Sequence, residues 1–159
     1  MTWNPNPEFV PLTGGCNCGK VRFRLEIPPI ITHCCHCRRC QKTSGSAFCV
    51  NAMIETEKLT LLCGTAEAFH GDSSHPLRRC ADCGLTLWSH IPQLGEAIAI
   101  VGVGVLDCAE QLAPEAHYFI RSKHPWVTLP PNLPAFDQLG DPGKAGVRAR
   151  IEAALAGAR

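Results

Sequence analysis

The residues best equipped for chemistry in this sequence are its eleven cysteines, a high count for a chain of 159 residues. Eight of them fall in three tight groups: Cys16/Cys18, Cys34/Cys35/Cys37/Cys40 and Cys80/Cys83. Two chemistries compete for such residues. Disulfides need an oxidising compartment. The opening Met1-Thr2-Trp3-Asn4-Pro5 has no basic region followed by an apolar run, so a secretory leader is not expected there. Metal ligation suits a reducing cytoplasm and calls for short Cys-Cys spacings, which are the spacings present. The expectation is a cytoplasmic metal protein.

Cys16-x-Cys18 and Cys80-x-x-Cys83 are each followed by glycine, Gly19 and Gly84. One short loop can offer two thiolates, and the glycine lets the backbone turn tightly around them. Together the pairs predict a closed tetrahedral zinc site whose role is stability. Sixty-one residues separate Cys18 from Cys80, so the metal would clamp distant parts of the chain. A rubredoxin-like iron site is the alternative, since tetrahedral sulfur suits iron too. Nothing else in the chain has the cysteine spacing of an iron–sulfur cluster, which favours zinc.

The run His33-Cys34-Cys35-His36-Cys37-Arg38-Arg39-Cys40 is dense in soft ligands. Cys35, Cys37 and Cys40 follow a C-x-C-x-x-C spacing that can set three sulfurs around a second metal. Three protein ligands with a free fourth position is the pattern of catalytic zinc, which can lower the pKa of a bound thiol or polarise a carbonyl. The other reading is a second closed site, with Cys34, His36 or a distant residue as fourth ligand. Arg38 and Arg39 could hold thiolates or an anionic substrate, or form a solvated turn. His36 is expected to point away from its neighbours' metal. His33, His36, His70 and His117 are candidate bases, none of them with a spacing that favours it over a structural role.

These groups must be positioned by short elements. Gly and Pro are plentiful (14 and 13) and aromatics scarce, which favours many strands and turns over long helices. From Lys20 to Ile27 the pattern alternates, with Val21, Phe23, Leu25 and Ile27 on one face, and reads as a half-buried strand. Ile30 to His33 predicts a short strand and Arg38 to Ser46 a turn or single helical turn closing at Gly45. Ala47 to Ile54 alternates again. Leu59 to Cys63 and Ala66 to His70 flank Gly64-Thr65 as a plausible hairpin. Cys80 to Gly84 reads as a knuckle, followed by strands at Leu85 to His90, Ala97 to Leu106 and His117 to Arg121. Pro125 to Pro134 predicts an ordered loop anchored by Trp126, Leu129 and Phe136. Asp141-Pro142 is a good helix start, with Val147, Ile151 and Leu155 following at helical spacing.

A formal net charge of +1 and scattered basic residues leave no electrostatic footprint for nucleic acid, and no basic stripe accompanies the cysteines as in a nucleic-acid zinc finger. The most apolar stretch, Ala97 to Leu106, is too short to span a bilayer as a helix. Neither nucleic acid nor membrane is expected as a partner.

Gly15-Cys16-Asn17-Cys18-Gly19, then Cys35-His36-Cys37-Arg38-Arg39-Cys40-Gln41-Lys42, then Cys80-Ala81-Asp82-Cys83-Gly84 together resemble the glutathione-dependent formaldehyde-activating enzyme family, which includes centromere protein V. His117-Tyr118, Pro125-Trp126-Val127 and Leu133-Pro134-Ala135-Phe136 look like that family's closing segments. The resemblance runs from about Gly14 to Phe136. It implies a compact, mainly β fold of small twisted antiparallel sheets built around zinc, which the short C-terminal helix read from the residues would follow. It implies that Cys16, Cys18, Cys80 and Cys83 hold a structural zinc. It implies further that Cys35, Cys37 and Cys40 hold a second zinc with an open position near a glutathione site, two zinc ions per chain. The implied reaction is that of a carbon–sulfur lyase, joining or parting formaldehyde and glutathione as S-hydroxymethylglutathione. The alternative is a non-enzymatic zinc module that binds glutathione or a protein partner. The expected organisation is an extension over residues 1–13, a zinc-binding β domain over 14–137 and a helical tail over 138–159.

Overall fold

Alternation along the chain becomes two packed sheets. The computed structural model describes residues 8–70, 75–140, 142–144 and 146–158. In chain order the strands and helices are β1 (Leu12–Gly15), β2 (Arg22–Leu25), β3 (Ile31–Cys35), α1 (Arg38–Ser44), β4 (Cys49–Glu55), β5 (Leu59–Cys63), β6 (Ala66–Phe69), β7 (Leu77–Cys80), β8 (Thr86–Ile91), β9 (Gly95–Gly102), β10 (Ala116–Tyr118), β11 (Ala135–Phe136) and α2 (Val147–Gly157). The fold is mainly β with a short C-terminal helix, as the sequence and the resemblance imply. An antiparallel three-stranded sheet runs β1-β2-β5, and an eight-stranded sheet runs β11-β10-β3-β4-β9-β8-β7-β6. Among the described residues only β10 pairs in parallel, with β3 on one side and β11 on the other.

The predicted apolar face of β2 is buried: Val21, Phe23 and Leu25 are at most 2% exposed. Phe23 meets Trp88 of β8 edge-on at 5.7 Å. With Leu12, Ile54, Leu87, Ala99 and Val101 they form the core between the sheets. The opposite face of the large sheet carries a second core of Ile30, Ile31, Met53, Ile98, Ala116 and Tyr118, covered by Val147 and Ile151 of α2. β4 and β9 are therefore buried on both faces, which is why β9 reads as a continuous apolar run. α2 is also tied down by Arg150, which donates to both carboxylate oxygens of Glu55 and to the Pro28 carbonyl. No helix among the described residues is long and apolar enough to cross a membrane.

Several expectations are corrected. The hairpin at Gly64-Thr65 does not form: β5 pairs with β2 and β6 with β7, so the turn carries the chain from one sheet to the other. Gly64 has φ +73°, and a Cβ there would lie 2.1 Å from the Lys20 carbonyl oxygen, so the turn is pressed against the β1–β2 connection rather than free to reverse. The strand expected to reach Leu106 ends at Gly102 in a 3-10 turn over Val103–Val105. That expected to reach Arg121 ends at Tyr118, because Phe119 takes the left-handed conformation and a 3-10 turn follows. Trp126 anchors nothing: it is 73% exposed, stacked only on the His124 ring. Phe136 does pack, 5.6 Å from Tyr118. Asp141 lies outside the described residues. The helix starts later than predicted, at Val147 after a left-handed Gly146.

Candidate metal centres

The first cluster is built from two turns that repeat each other. In one, Cys16 N–H donates to the Val21 carbonyl and Gly19 N–H to the Cys16 carbonyl. In the other, Cys80 N–H donates to Leu85 and Gly84 N–H to Cys80. Gly19 and Gly84 have φ of +76° and +72°, which the tight turns require. The first turn belongs to the three-stranded sheet and the second to the eight-stranded sheet. They meet so that the sulfurs of Cys16, Cys18, Cys80 and Cys83 all lie within 4.8 Å of one another. Cys16 Sγ is 3.4 Å from Cys18 Sγ, which is 3.6 Å from Cys80 Sγ. Four thiolates at zinc–sulfur distance around a tetrahedral ion are spaced about 3.8 Å apart, so this donor set fits a metal ion. Lys20 and Asp82 pair across the two turns at 2.5 Å, an exposed contact of small worth.

Crowded sulfurs share protons unequally. Burial disfavours the Cys16 thiolate, but the Val21 amide, 3.2 Å from its sulfur, and the neighbouring thiols outweigh it and bring Cys16 down to about 6. Cys18 is favoured as thiolate by the Lys20 amide, yet its sulfur neighbours and desolvation carry it up to about 12.

The second cluster forms where β3 hands over to α1. Cys35 ends the strand, Cys37 caps the helix with its sulfur accepting from the Cys40 N–H at 3.3 Å, and Cys40 lies in the first turn. The three sulfurs lie within 4.8 Å of one another. Cys35 is buried, and Cys37 and Cys40 are half-buried. Cys35 and Cys40 hold the Cys37 thiol well below its ordinary value, helped by the Cys40 and Arg39 amides, while Cys37 in turn pushes Cys35 up to about 12. An arrangement of three thiols, one of them readily ionised, fits a metal ion with one position left over.

Cys34 stands apart. Alternation along β3 turns it to the sheet face opposite Cys35, where burial raises its thiol to about 11. It is not part of the sulfur group, nor is His36. The His36 ring turns inward, as expected, with Nε2 3.0 Å from His117 Nδ1. His33 is buried edge-on against Tyr118. His70 is exposed at the end of β6. Arg38 donates to Gln41 Oε1 at 2.8 Å and Arg39 to the His75 carbonyl at 3.0 Å, so both serve the scaffold.

Three contributors escape the sequence reading. Gln41 Nε2 donates to the carbonyls of His36 and Ser122, and Ser122 Oγ also donates to His36, fixing the loop between Cys35 and Cys37 to the segment after β10. Cys49, the first residue of β4, donates its thiol to the Cys40 carbonyl at 3.2 Å. Only the β3–β4 register brings it there; nothing in the local spacing marks it.

Comparison with known proteins bears on this geometry. Residues 11–122 match the family model "Glutathione-dependent formaldehyde-activating enzyme". A Halomonas elongata protein provisionally given that name is 25% identical over 126 residues, 74% of this chain and 80% of its own length. An Emericella nidulans protein with the same provisional name is 30% identical over 80 residues, 48% of this chain. The match spans only 41% of that fungal relative's length. A crystal structure of a Rhodobacter sphaeroides protein aligns with 60% of this chain and 88% of its own, at 18% identity and a TM-score of 0.48.

Proposed function

This chain belongs to the glutathione-dependent formaldehyde-activating enzyme family, and from that premise we propose that it is a zinc-dependent carbon–sulfur lyase acting on a glutathione–aldehyde adduct of the S-hydroxymethylglutathione type, or on a related small thiol adduct. The observation that carries the reading is the contrast between its two sulfur groups. Cys16, Cys18, Cys80 and Cys83 bring four thiols together, whereas Cys35, Cys37 and Cys40 bring together three, two of them on half-buried residues.

In this reading the four-thiol group holds a structural zinc that joins the two sheets. The three-thiol group holds the second, and residues 14–137 form the working domain with 138–159 as its tail. Zinc at the second group would supply thiol ionisation or carbonyl polarisation. The chain's own part is to fix geometry. Gln41 and Ser122 clamp the Cys35–Cys37 loop, and the first turn of α1 directs two amide groups at the Cys37 sulfur. A substrate thiol held beside an aldehyde carbon at that site would have its encounter in solution converted into an oriented addition.

A second reading, a zinc module that binds glutathione without turning it over, is favoured by the histidines. His36 and His117 are buried and engaged with each other, and neither belongs to the sulfur group. The deciding experiment measures zinc per chain in protein purified under reductant without chelator, then the rate of adduct formation and breakdown. Two zinc ions with saturable acceleration, lost in Cys37→Ser, support the enzyme. Glutathione binding without acceleration supports the module. One zinc or none overturns the assignment of the second group.

A further inference from the structure

The three-thiol group has a fourth sulfur at its edge. Cys49 is the direct cross-strand partner of Cys35 in the β3–β4 ladder. Residues directly opposite in an antiparallel pair project from the same face, with Cβ atoms about 5 Å apart. Cys49 therefore faces the side of the sheet from which Cys35 enters the cluster. Its Sγ also donates to the Cys40 carbonyl at 3.2 Å. Two of the three sulfur-bearing residues are thus its immediate neighbours, Cys35 across the strand ladder and Cys40 through its carbonyl.

In this rotamer the Cys49 sulfur lies outside the set that shares mutual distances within 4.8 Å. A change of χ1 between staggered wells moves a cysteine sulfur by about 3 Å without moving the backbone. The side chain is half-buried, so the rotation is not blocked by complete enclosure. A soft cation held by three thiolates takes a fourth soft donor readily, and a thiol one rotation away is the nearest on offer.

We propose that Cys49 is the exchangeable fourth ligand of the second metal: it closes the site when no thiol substrate is present and yields the position when one arrives. The inference rests on the reading of Cys35, Cys37 and Cys40 as a metal site. The exchange balances. The Cys49 sulfur–metal bond breaks as the bond to the incoming sulfur forms, and the proton of the incoming thiol passes to Cys49. The resting chain would then hold its metal in two four-sulfur sites, and a free thiol such as glutathione would compete with Cys49 for one of them.

The test loads the full chain with cobalt(II) and follows the thiolate-to-cobalt charge-transfer absorption, with the Cys49→Ser and Cys49→His variants beside wild type. Cys49→Ser should lose intensity worth one thiolate at the second site and bind the second metal about tenfold more weakly, a conservative figure even for a supporting group. Cys49→His should restore tight binding. Added glutathione should return the lost intensity to Cys49→Ser. In wild type it should leave intensity unchanged while making Cys49 newly open to alkylation by iodoacetamide, located by mass spectrometry. If Cys49→Ser does not fold, the alkylation experiment on wild type decides. Equal intensity and affinity in wild type and Cys49→Ser, or a Cys49 alkylated equally fast with and without glutathione, would overturn the proposal. A wild-type chain that binds one metal only would instead sink the reading of the second site, and this inference with it.

Discussion

His36 Nε2 lies 3.0 Å from His117 Nδ1, with the two rings stacked in the interior, so exactly one proton can be shared along that line. The other nitrogens, His36 Nδ1 and His117 Nε2, are buried without a hydrogen-bond partner among the described residues, and so is His33 Nδ1. Burial brings both His33 and His36 down to about 4 and lowers His117. The fold thus keeps these imidazoles neutral. In the unfolded chain they take up protons near 6.5.

Acid sensitivity follows with a defined sign. The contribution of these histidines is fully present above pH 6.5 and is lost as pH falls from there towards 4, because the unfolded state binds the extra protons. Each can contribute a slope of up to about 1.4 kcal/mol per pH unit in that window. Urea midpoints of the metal-loaded protein should fall steadily across it. His33→Gln should flatten that fall relative to wild type; an unchanged slope would show that the buried imidazoles are not responsible.

The two sulfur groups should fail differently. Under the proposed assignment of a structural zinc to the four-thiol group, Cys80→Ser should abolish the cooperative melt, since such a zinc contributes about 10 kcal/mol or more to folding. Cys37→Ser, at the half-buried end of the other group, should bind one metal fewer yet melt close to wild type. Elemental analysis with circular dichroism on both variants checks this. Equal loss of structure in the two would contradict the division of roles.

Gly64→Ala should be among the most damaging small changes in the chain. It places a side chain at φ +73° and 2.1 Å from the Lys20 carbonyl oxygen, where backbone, not a flexible side chain, must move. A loss of roughly 2 kcal/mol or more is expected in denaturant titration. A midpoint equal to wild type would mean that this junction is not packed as described.

Arg150 is 8% exposed and meets Glu55, 13% exposed in its side chain, at 2.6 Å. Arg150→Met leaves the carboxylate buried without its partner and should cost about 3 kcal/mol. Replacing Glu55 with Gln in the same chain should recover much of it. If the single variant is neutral, α2 is not held to β4 through this pair.

Chemistry was more legible in the residues than topology. Cys16, Cys18, Cys80 and Cys83 could be grouped because short spacing and a following glycine are local properties, and the structure brings those sulfurs together. The buried face of Val21, Phe23 and Leu25 was legible for the same reason. Gly64-Thr65 was not: alternation and a turn residue report two strands and a bend, but the choice of β2 and β7 as partners is made by apolar surfaces far away in sequence. Cys49 escaped because its relation to Cys35 exists only across a strand ladder. Trp126 misled because a large aromatic is normally buried, and here it lies over His124 in the open.

The long reach of the four-thiol group has a consequence for the chain as it is made. Cys35, Cys37 and Cys40 leave the ribosome together and can capture a metal ion at once. Cys16 and Cys18 must wait until Cys83 has emerged, several seconds later at about 10 residues per second. During that interval the nascent chain holds two early thiols and three competing ones with no finished shell for the first pair. With a metal at the four-thiol group, as proposed, its supply during translation would bear on how many molecules mature with the two sheets joined.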